Sequence, residues 1–249
     1  MIALIKMEPS MIVLFTDFGL SGPYTGQVKA VLHQLAAGVP IVDLFADLPA
    51  AKPKPAAYLL AAYGPWFPPG TVLMAVVDPG VGGARAAVVV EADGRSYVGP
   101  DNGLFEIVLR RAGALKTAEI FWQPDRLSAS FHARDLFAPV AARLAAGTLP
   151  ARALRGAGIG RLPDWPDDLP EIVYIDGYGN AMTGLRAAIL SEKTELAVKG
   201  RVLTCARTFS DAPPDAGFWY ENSNGLAEIA VNSGRADSVL SLASELRSR

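Results

Sequence analysis

An apolar run from Thr71 to Val77 ends abruptly in Asp78, and Pro79, Gly80, Val81, Gly82, Gly83 and Arg85 follow closely. A carboxylate at the carboxyl end of a buried strand, followed by a loop whose backbone can approach a ligand, is a common active-site edge in α/β folds. The same residues also fit a tight turn with an acidic cap and a solvated arginine. If Asp78 and Arg85 pair, the guanidinium fork is held in place and the acid stays ionised. His132 stands in a short polar segment beside Arg134 and Asp135, and a loop imidazole titrating near neutrality suits proton transfer. Asp135 reads as the N-cap of the helix that follows. Asp17 closes the first apolar run, where a carboxylate can accept hydrogen bonds from the vicinal hydroxyls of a ribose or simply cap a turn.

Three further clusters sit late in the chain. Asp176-Gly177-Tyr178-Gly179-Asn180 carries an acid, an amide and two glycines in five positions. It reads as a hairpin turn, or as a site whose acid takes an ammonium and whose amide takes a base or carboxylate. Asn222-Ser223-Asn224-Gly225 lies between two strand-like runs, and Val231-Asn232-Ser233-Gly234 comes just after the second. Pro100-Asp101-Asn102-Gly103 reads as a helix-entry turn. Walker, dinucleotide-binding, HExxH, GxSxG and CxxC patterns do not occur, which removes the commonest NTPase, dehydrogenase, zinc-protease and esterase readings.

The elements that must position these groups follow from the periodicity. Met11–Phe15, Ile41–Phe45, Thr71–Val77, Ala86–Glu91, Ser96–Val98 and Ala118–Trp122 read as strands. Helical patterns lie after Pro23, over 56–63, after Gly103 and over 136–146. Asp93-Gly94 is a hairpin turn. This alternation predicts an N-terminal three-layer α/β domain with a mostly parallel sheet over residues 11–150. Residues 151–170, rich in Gly, Pro and Asp, read as a linker. From 171 to 249 the runs 172–175, 195–198, 202–206, 217–220 and 226–231 predict a smaller β-barrel-like domain, closed by a helix over 235–246.

The 249 residues are 51% hydrophobic and 19% charged with a net charge of −2. That describes a well-cored globular chain without the electrostatic footprint of a nucleic-acid or anionic-membrane binder. One cysteine, Cys205, and two histidines argue against a disulfide framework and a His-rich or Cys-rich metal centre. No run of 18 apolar residues suggests a membrane span, and the amino terminus lacks the layout of a signal peptide. The expected setting is cytoplasmic.

Taken in order, the clusters resemble one family. Thr16-Asp17-Phe18-Gly19 with Tyr24-Thr25-Gly26, Val76 to Gly82 with Arg85, Pro100 to Gly103, Phe131 to Asp135 with Phe137 to Ala142, Asp176 to Asn180, and Asn222-Ser223 through Ala230 are similar to the motifs of the S-adenosyl-L-methionine (SAM) hydrolases that form adenosine. These are also called SAM hydroxide adenosyltransferases and are relatives of the SAM-dependent fluorinase and chlorinase. The resemblance implies a homotrimer with active sites at subunit interfaces, SAM as substrate rather than cofactor, and neither metal nor redox group. It implies that Asp78, Arg85 and His132 activate water for attack on ribose C5′. Asp17 would bind the ribose hydroxyls, Asp176 the methionine ammonium and Ser223 its carboxylate. Asn180 would face adenine, Tyr178 would form an aromatic wall, and Val231 and Ser233 would meet the adenine edge through backbone groups.

The chain departs from the family pattern in places. Ala46 stands where a histidine is usual, Ala50-Ala51-Lys52 where an aromatic is common, Ala133 for a glycine, Gly184 for an asparagine and Tyr178 for a phenylalanine. Halogenation on the same scaffold and SAM or adenosine binding without turnover are the alternative expectations. Retention of the Asp, Arg and His favours water over halide.

Overall fold

The computed structural model describes residues 11–242 and divides into two compact units, one running to Leu162 and the other from Pro163. The first holds β1 (Ile12–Thr16), α1 (Tyr24–Leu35), β2 (Ile41–Phe45), α2 (Pro53–Tyr63), β3 (Val72–Val76), β4 (Ala87–Ala92), β5 (Arg95–Pro100), α3 (Glu106–Arg111), β6 (Leu115–Ile120), α4 (Ala138–Ala145) and β7 (Leu154–Gly156). Its seven-stranded sheet runs β2-β1-β3-β5-β4-β6-β7.

β1 and β3 are buried along their whole length. They lie inside the sheet with both faces covered, so they read as continuous apolar runs rather than alternating ones. Ile12, Leu14, Val72, Met74 and Val76 pack with Val28 and Leu32 of α1 and with Val140 and Ala141 of α4. The alternate residues face the other way, where Phe15 meets Phe45 edge to face and Phe45 meets Tyr63 at the end of α2. Successive strand side chains point to opposite faces, which produces the three layers.

The sheet is parallel from β2 through β1 and β3 to β5. β4, β6 and β7 pair antiparallel. The parallel character therefore holds for the first half only, because Asp93 and Gly94, both at positive φ, turn β4 straight back onto β5, and a two-residue turn can join only antiparallel strands. β7 falls in the stretch that composition marks as a linker. It pairs with the edge strand β6, and backbone pairing needs no side-chain pattern.

The second unit holds β8 (Leu169–Ile175), β9 (Ala181–Arg186), β10 (Leu196–Val198), β11 (Arg201–Cys205), β12 (Gly217–Glu221), β13 (Leu226–Val231) and α5 (Ala236–Val239). Its sheet, ordered β10-β11-β12-β13-β9-β8, is antiparallel except between β11 and β12, and it curls as a half-barrel. Register shifts at β13–β9 and β8–β9 mark the bulges that bend it. β9 escapes sequence reading because Ala181-Met-Thr-Gly has weak strand propensity. Its burial and the Thr183 hydroxyl donated to the Ala227 carbonyl at 2.6 Å fix it beside β13. The terminal helix is four residues long, and the part expected beyond Leu242 lies outside the described residues.

Candidate active site

β1 and β3 are parallel neighbours with Thr16 opposite Val76. Asp17 and Asp78 therefore leave the sheet at the same edge, the carboxyl end of both strands, where ligands of open α/β sheets bind. Asp78 is gripped by Arg85: Nε lies 3.0 and 2.9 Å from the two carboxylate oxygens, and Nη2 reaches Oδ2 as well. Both side chains are nearly closed off from solvent, and the guanidinium carbon sits 5.2 Å from the Phe137 ring centroid. A charge-assisted fork backed by an aromatic face fixes the arginine in one orientation.

Arg85 Nη2 also lies 3.2 Å from His132 Nδ1. A guanidinium only donates, so Nδ1 carries the lone pair and the proton of the neutral ring sits on Nε2. Burial pushes the His132 pKa below 6.5, the positive charge of Arg85 pushes it further, and Asp78 and Asp135 oppose this. The imidazole is thus a neutral base at physiological pH.

Glycine geometry brings these partners together. Gly82 has φ +79°, and a Cβ there would stand 2.3 Å from the Ala129 carbonyl oxygen. Only glycine lets the loop after Asp78 lie against the segment leading to His132. Asn102 donates to the Val77 carbonyl at 2.8 Å and accepts from the Leu104 amide, so the Pro100–Gly103 turn braces the end of β3. Asp101 accepts from the Gly160 amide at 3.1 Å, a structural role.

Asp135 is not the N-cap expected from the sequence. It lies inside a wide π turn, Ala133–Phe137, accepts the Ser128 amide at 2.9 Å and pairs with Arg134. Arg134 in turn donates to Gln27 of α1. Asp135 therefore holds the loop before His132 in shape. Phe18, Tyr24 and Phe131 form an aromatic cluster with centroids 5.3 to 6.5 Å apart, joining the Asp17 loop to the His132 loop.

Asp17 accepts the Ala51 amide at 2.9 Å on Oδ2. Ala51 adopts φ +56° to make that contact, a left-handed conformation unusual for alanine. Burial raises the Asp17 pKa, the Ala51 amide and the residue's own backbone lower it, and the charge of Asp78 raises it further.

In the second unit, Asp176 Oδ1 accepts the backbone amides of Tyr178 and Asn180, both at 2.9 Å. Gly179 has φ +86°, and a Cβ there would meet Asp237 Oδ1 at 2.7 Å. The Arg235 guanidinium donates to the Gly177 carbonyl, and the Asp237 amide to that of Gly179. Tyr178 stands 81% exposed, whereas Asn180 is buried. The Ser223 side chain is exposed, and its hydroxyl accepts from Asn224. The Val231 side chain belongs to the apolar core and its carbonyl accepts the Gly234 amide. Ser233 is exposed, has φ +60° and contacts Asn232 through its hydroxyl.

The structure thus brings Asp78, Arg85 and His132 into direct contact with Asp17 near by. Separately, it gathers Asp176, Tyr178 and Asn180 on a braced loop. Sequence reasoning placed Phe137 and Glu228 inside family motifs and Ala51 in a divergent segment but gave none of them a role, because the partners of a side chain and a left-handed alanine leave no local pattern. Among the described residues, no group of three or more His, Cys, Asp or Glu is arranged to hold a metal ion, and no helix is long and apolar enough to cross a membrane.

Comparison with known proteins bears on this geometry. The SAM hydroxide adenosyltransferase N-terminal domain matches residues 12–154 and the C-terminal domain matches 170–247. An (R)-S-adenosyl-L-methionine hydrolase of Thermus thermophilus is 42% identical, covering 93% of this chain and 95% of that protein. One of Salinispora arenicola is 37% identical, covering 91% and 92%. A crystal structure of a conserved protein from Thermotoga maritima superposes with a TM-score of 0.83 at 30% identity, over 93% of this chain and 96% of that one.

Proposed function

The chain belongs to the SAM hydroxide adenosyltransferase family, and we propose that it hydrolyses S-adenosyl-L-methionine to adenosine and L-methionine. The observation that carries the reading is Arg85 bridging Asp78 and His132. The sulfonium of SAM is already a good leaving group, so no acid is needed to protonate it. The demand lies on the nucleophile: one oriented water, deprotonated as it attacks. The water oxygen forms the bond to ribose C5′, the C5′–S bond breaks with its electron pair going to sulfur, and one proton is released.

Arg85 supplies positive charge where hydroxide develops, in a site closed enough for that charge to count. Asp78 holds the guanidinium and compensates its charge. His132 is free base at neutral pH and takes or relays the proton. Because Nδ1 faces Arg85, accepting the proton there requires the arginine contact to give way. The aligned carboxylate and guanidinium also fix the water in line with the bond it attacks.

For the rest of SAM, Asp17 takes the ribose hydroxyls. Asp176 takes the methionine ammonium, Ser223 the carboxylate, and Asn180 faces adenine with Tyr178 as an aromatic wall. Val231 and Ser233 meet the adenine edge through backbone groups. SAM is the substrate, and no cofactor or metal takes part. The proposed assembly is a homotrimer with active sites at subunit interfaces, in the cytoplasm, a setting that the single free cysteine suits.

The deciding experiment incubates the purified protein with SAM in water enriched in heavy oxygen, with and without chloride, and follows products by mass spectrometry. Adenosine labelled at its 5′ oxygen is the expected result. A 5′-halo-adenosine, or SAM retained without turnover, overturns the proposal.

A further inference from the structure

Glu228, at the middle of β13, is almost completely buried. It lies opposite Tyr220 of β12 and Met182 of β9. Its Oε1 accepts the Tyr220 hydroxyl at 2.6 Å, its Oε2 accepts the Asn222 amide nitrogen at 2.8 Å, and Asn180 donates to it as well. Carboxylates are rarely buried so deeply without reason, and this one serves donors from two segments, the end of β12 with its turn and the Asp176 loop.

Two of those donors belong to the loops that carry the proposed ligand contacts. Asn180 ends the Asp176 loop, and its amide nitrogen also lies 3.4 Å from Asp176 Oδ2. Asn222 begins the turn that presents Ser223: its side-chain oxygen accepts the amides of Asn224 at 2.9 Å and Leu226 at 3.0 Å, and its carbonyl accepts the Gly225 amide. Glu228 is therefore a shared anchor between the two loops. Without it, the pairing of β9 with β13 remains, but the Asn180 and Asn222 side chains lose the common acceptor that sets them in place.

We infer that Glu228 is a positioning residue that holds the Asp176–Asn180 loop and the Asn222–Gly225 turn at the spacing required by the methionine portion of SAM. It touches no substrate atom in this scheme; it acts through Asn180 and Asn222. The inference rests on the proposed binding roles of Asp176 and Ser223.

Glu228→Gln keeps the shape but removes the negative charge and one acceptor oxygen, so the hydrogen bonds that remain are no longer charge-assisted. The test measures SAM affinity by equilibrium dialysis, with melting temperature recorded in parallel, for Glu228→Gln, Asp176→Ala, the double variant and Tyr220→Phe. Binding is the readout, so absent turnover in the wild type would strike the proposed hydrolysis and leave this result standing. The expected outcome is about a tenfold loss of affinity for Glu228→Gln, as for one lost charge-assisted hydrogen bond. The double variant should lose less affinity than the product of the two single losses, because part of the glutamate's effect runs through the Asp176 loop already disabled. A merely structural glutamate would lower the melting temperature without that non-additivity. Folded Glu228→Gln with wild-type affinity overturns the inference, as does a double variant whose losses multiply. If Glu228→Gln does not fold, Tyr220→Phe decides: it removes one donor from the carboxylate and keeps the ring, so a few-fold weaker binding supports the inference and unchanged affinity overturns it.

Discussion

Arg85 stands between Asp78 and His132, with Nε 2.9 Å from the carboxylate and Nη2 3.2 Å from the imidazole Nδ1. One cation thereby fixes both the orientation of the acid and the tautomer of the base. The arrangement carries no net charge while the histidine is neutral, and gains a positive one when it protonates.

The titration of His132 follows from that arrangement. Burial first, and the Arg85 charge second, hold its pKa below 6.5. Between the folded value and 6.5 the unfolded chain binds the extra proton, so His132 contributes stability above 6.5 that is lost as pH falls through its folded pKa. Turnover should therefore fall on acidification with an apparent midpoint below 6.5. Arg85→Gln should raise the His132 pKa, since the carboxylates that favour protonation remain. Imidazole proton shifts check this directly, because the chain has only two histidines.

Removal of either partner should separate chemistry from binding. Asp78→Ala and His132→Ala are each expected to lower kcat by about 10² or more, the scale of lost acid–base catalysis, while SAM still binds. Single-turnover assays with parallel equilibrium binding measure both quantities. Full turnover in both variants would remove the water-activation assignment.

Gly82 should be far less tolerant than Gly26. Gly82→Ala forces a side chain onto the Ala129 carbonyl at a left-handed φ and is expected to destabilise the fold by about 1–3 kcal/mol. It should lower kcat as well, because the loop moves away from His132. Gly26→Ala lies in α1, where a Cβ meets nothing, and should stabilise by about 0.5–1 kcal/mol. Thermal denaturation compares the two.

Ala51 offers a test of the Asp17 pocket. Ala51→Gly removes the strain of φ +56° and should add about 1 kcal/mol of stability with KM unchanged. Ala51→Pro deletes the amide that Asp17 accepts and cannot adopt that φ, so KM for SAM should rise. An unaltered KM in a folded proline variant would show that this hydrogen bond does not orient the carboxylate.

Residues 12–16 and 72–76 show how far the sequence reaches. Their apolar runs specify buried strands because solvent exposure of either face would be costly, and an acid just past such a strand must emerge at its carboxyl end. Asp17 and Asp78 could thus be placed at strand ends before any pairing was known, and the ordered motifs identified the family. Asp93-Gly94 equally announced its hairpin, although its consequence, an antiparallel half-sheet, depended on which strands flanked it. Propensity and periodicity are local, so they said nothing of β9, whose small residues are held by neighbours, or of β7, which pairs through backbone alone.

The contacts of the candidate site were decided by tertiary structure. Arg85 and His132 are 47 positions apart, and their approach depends on sheet register and on a glycine that admits the Ala129 carbonyl. Asp135 looked like a cap because caps are recognised from sequence neighbours; its actual partners, Ser128 and Arg134, are set by a π turn. Glu228 falls inside a motif of the family, but its apolar strand gives no sign of its partners. Only folding surrounds it with Tyr220, Asn222 and Asn180, and only their convergence makes a buried carboxylate both tolerable and useful. The sequence determines which groups are present and which element ends they occupy, because those follow from local pattern. Burial and register, set by distant residues, determine which groups meet.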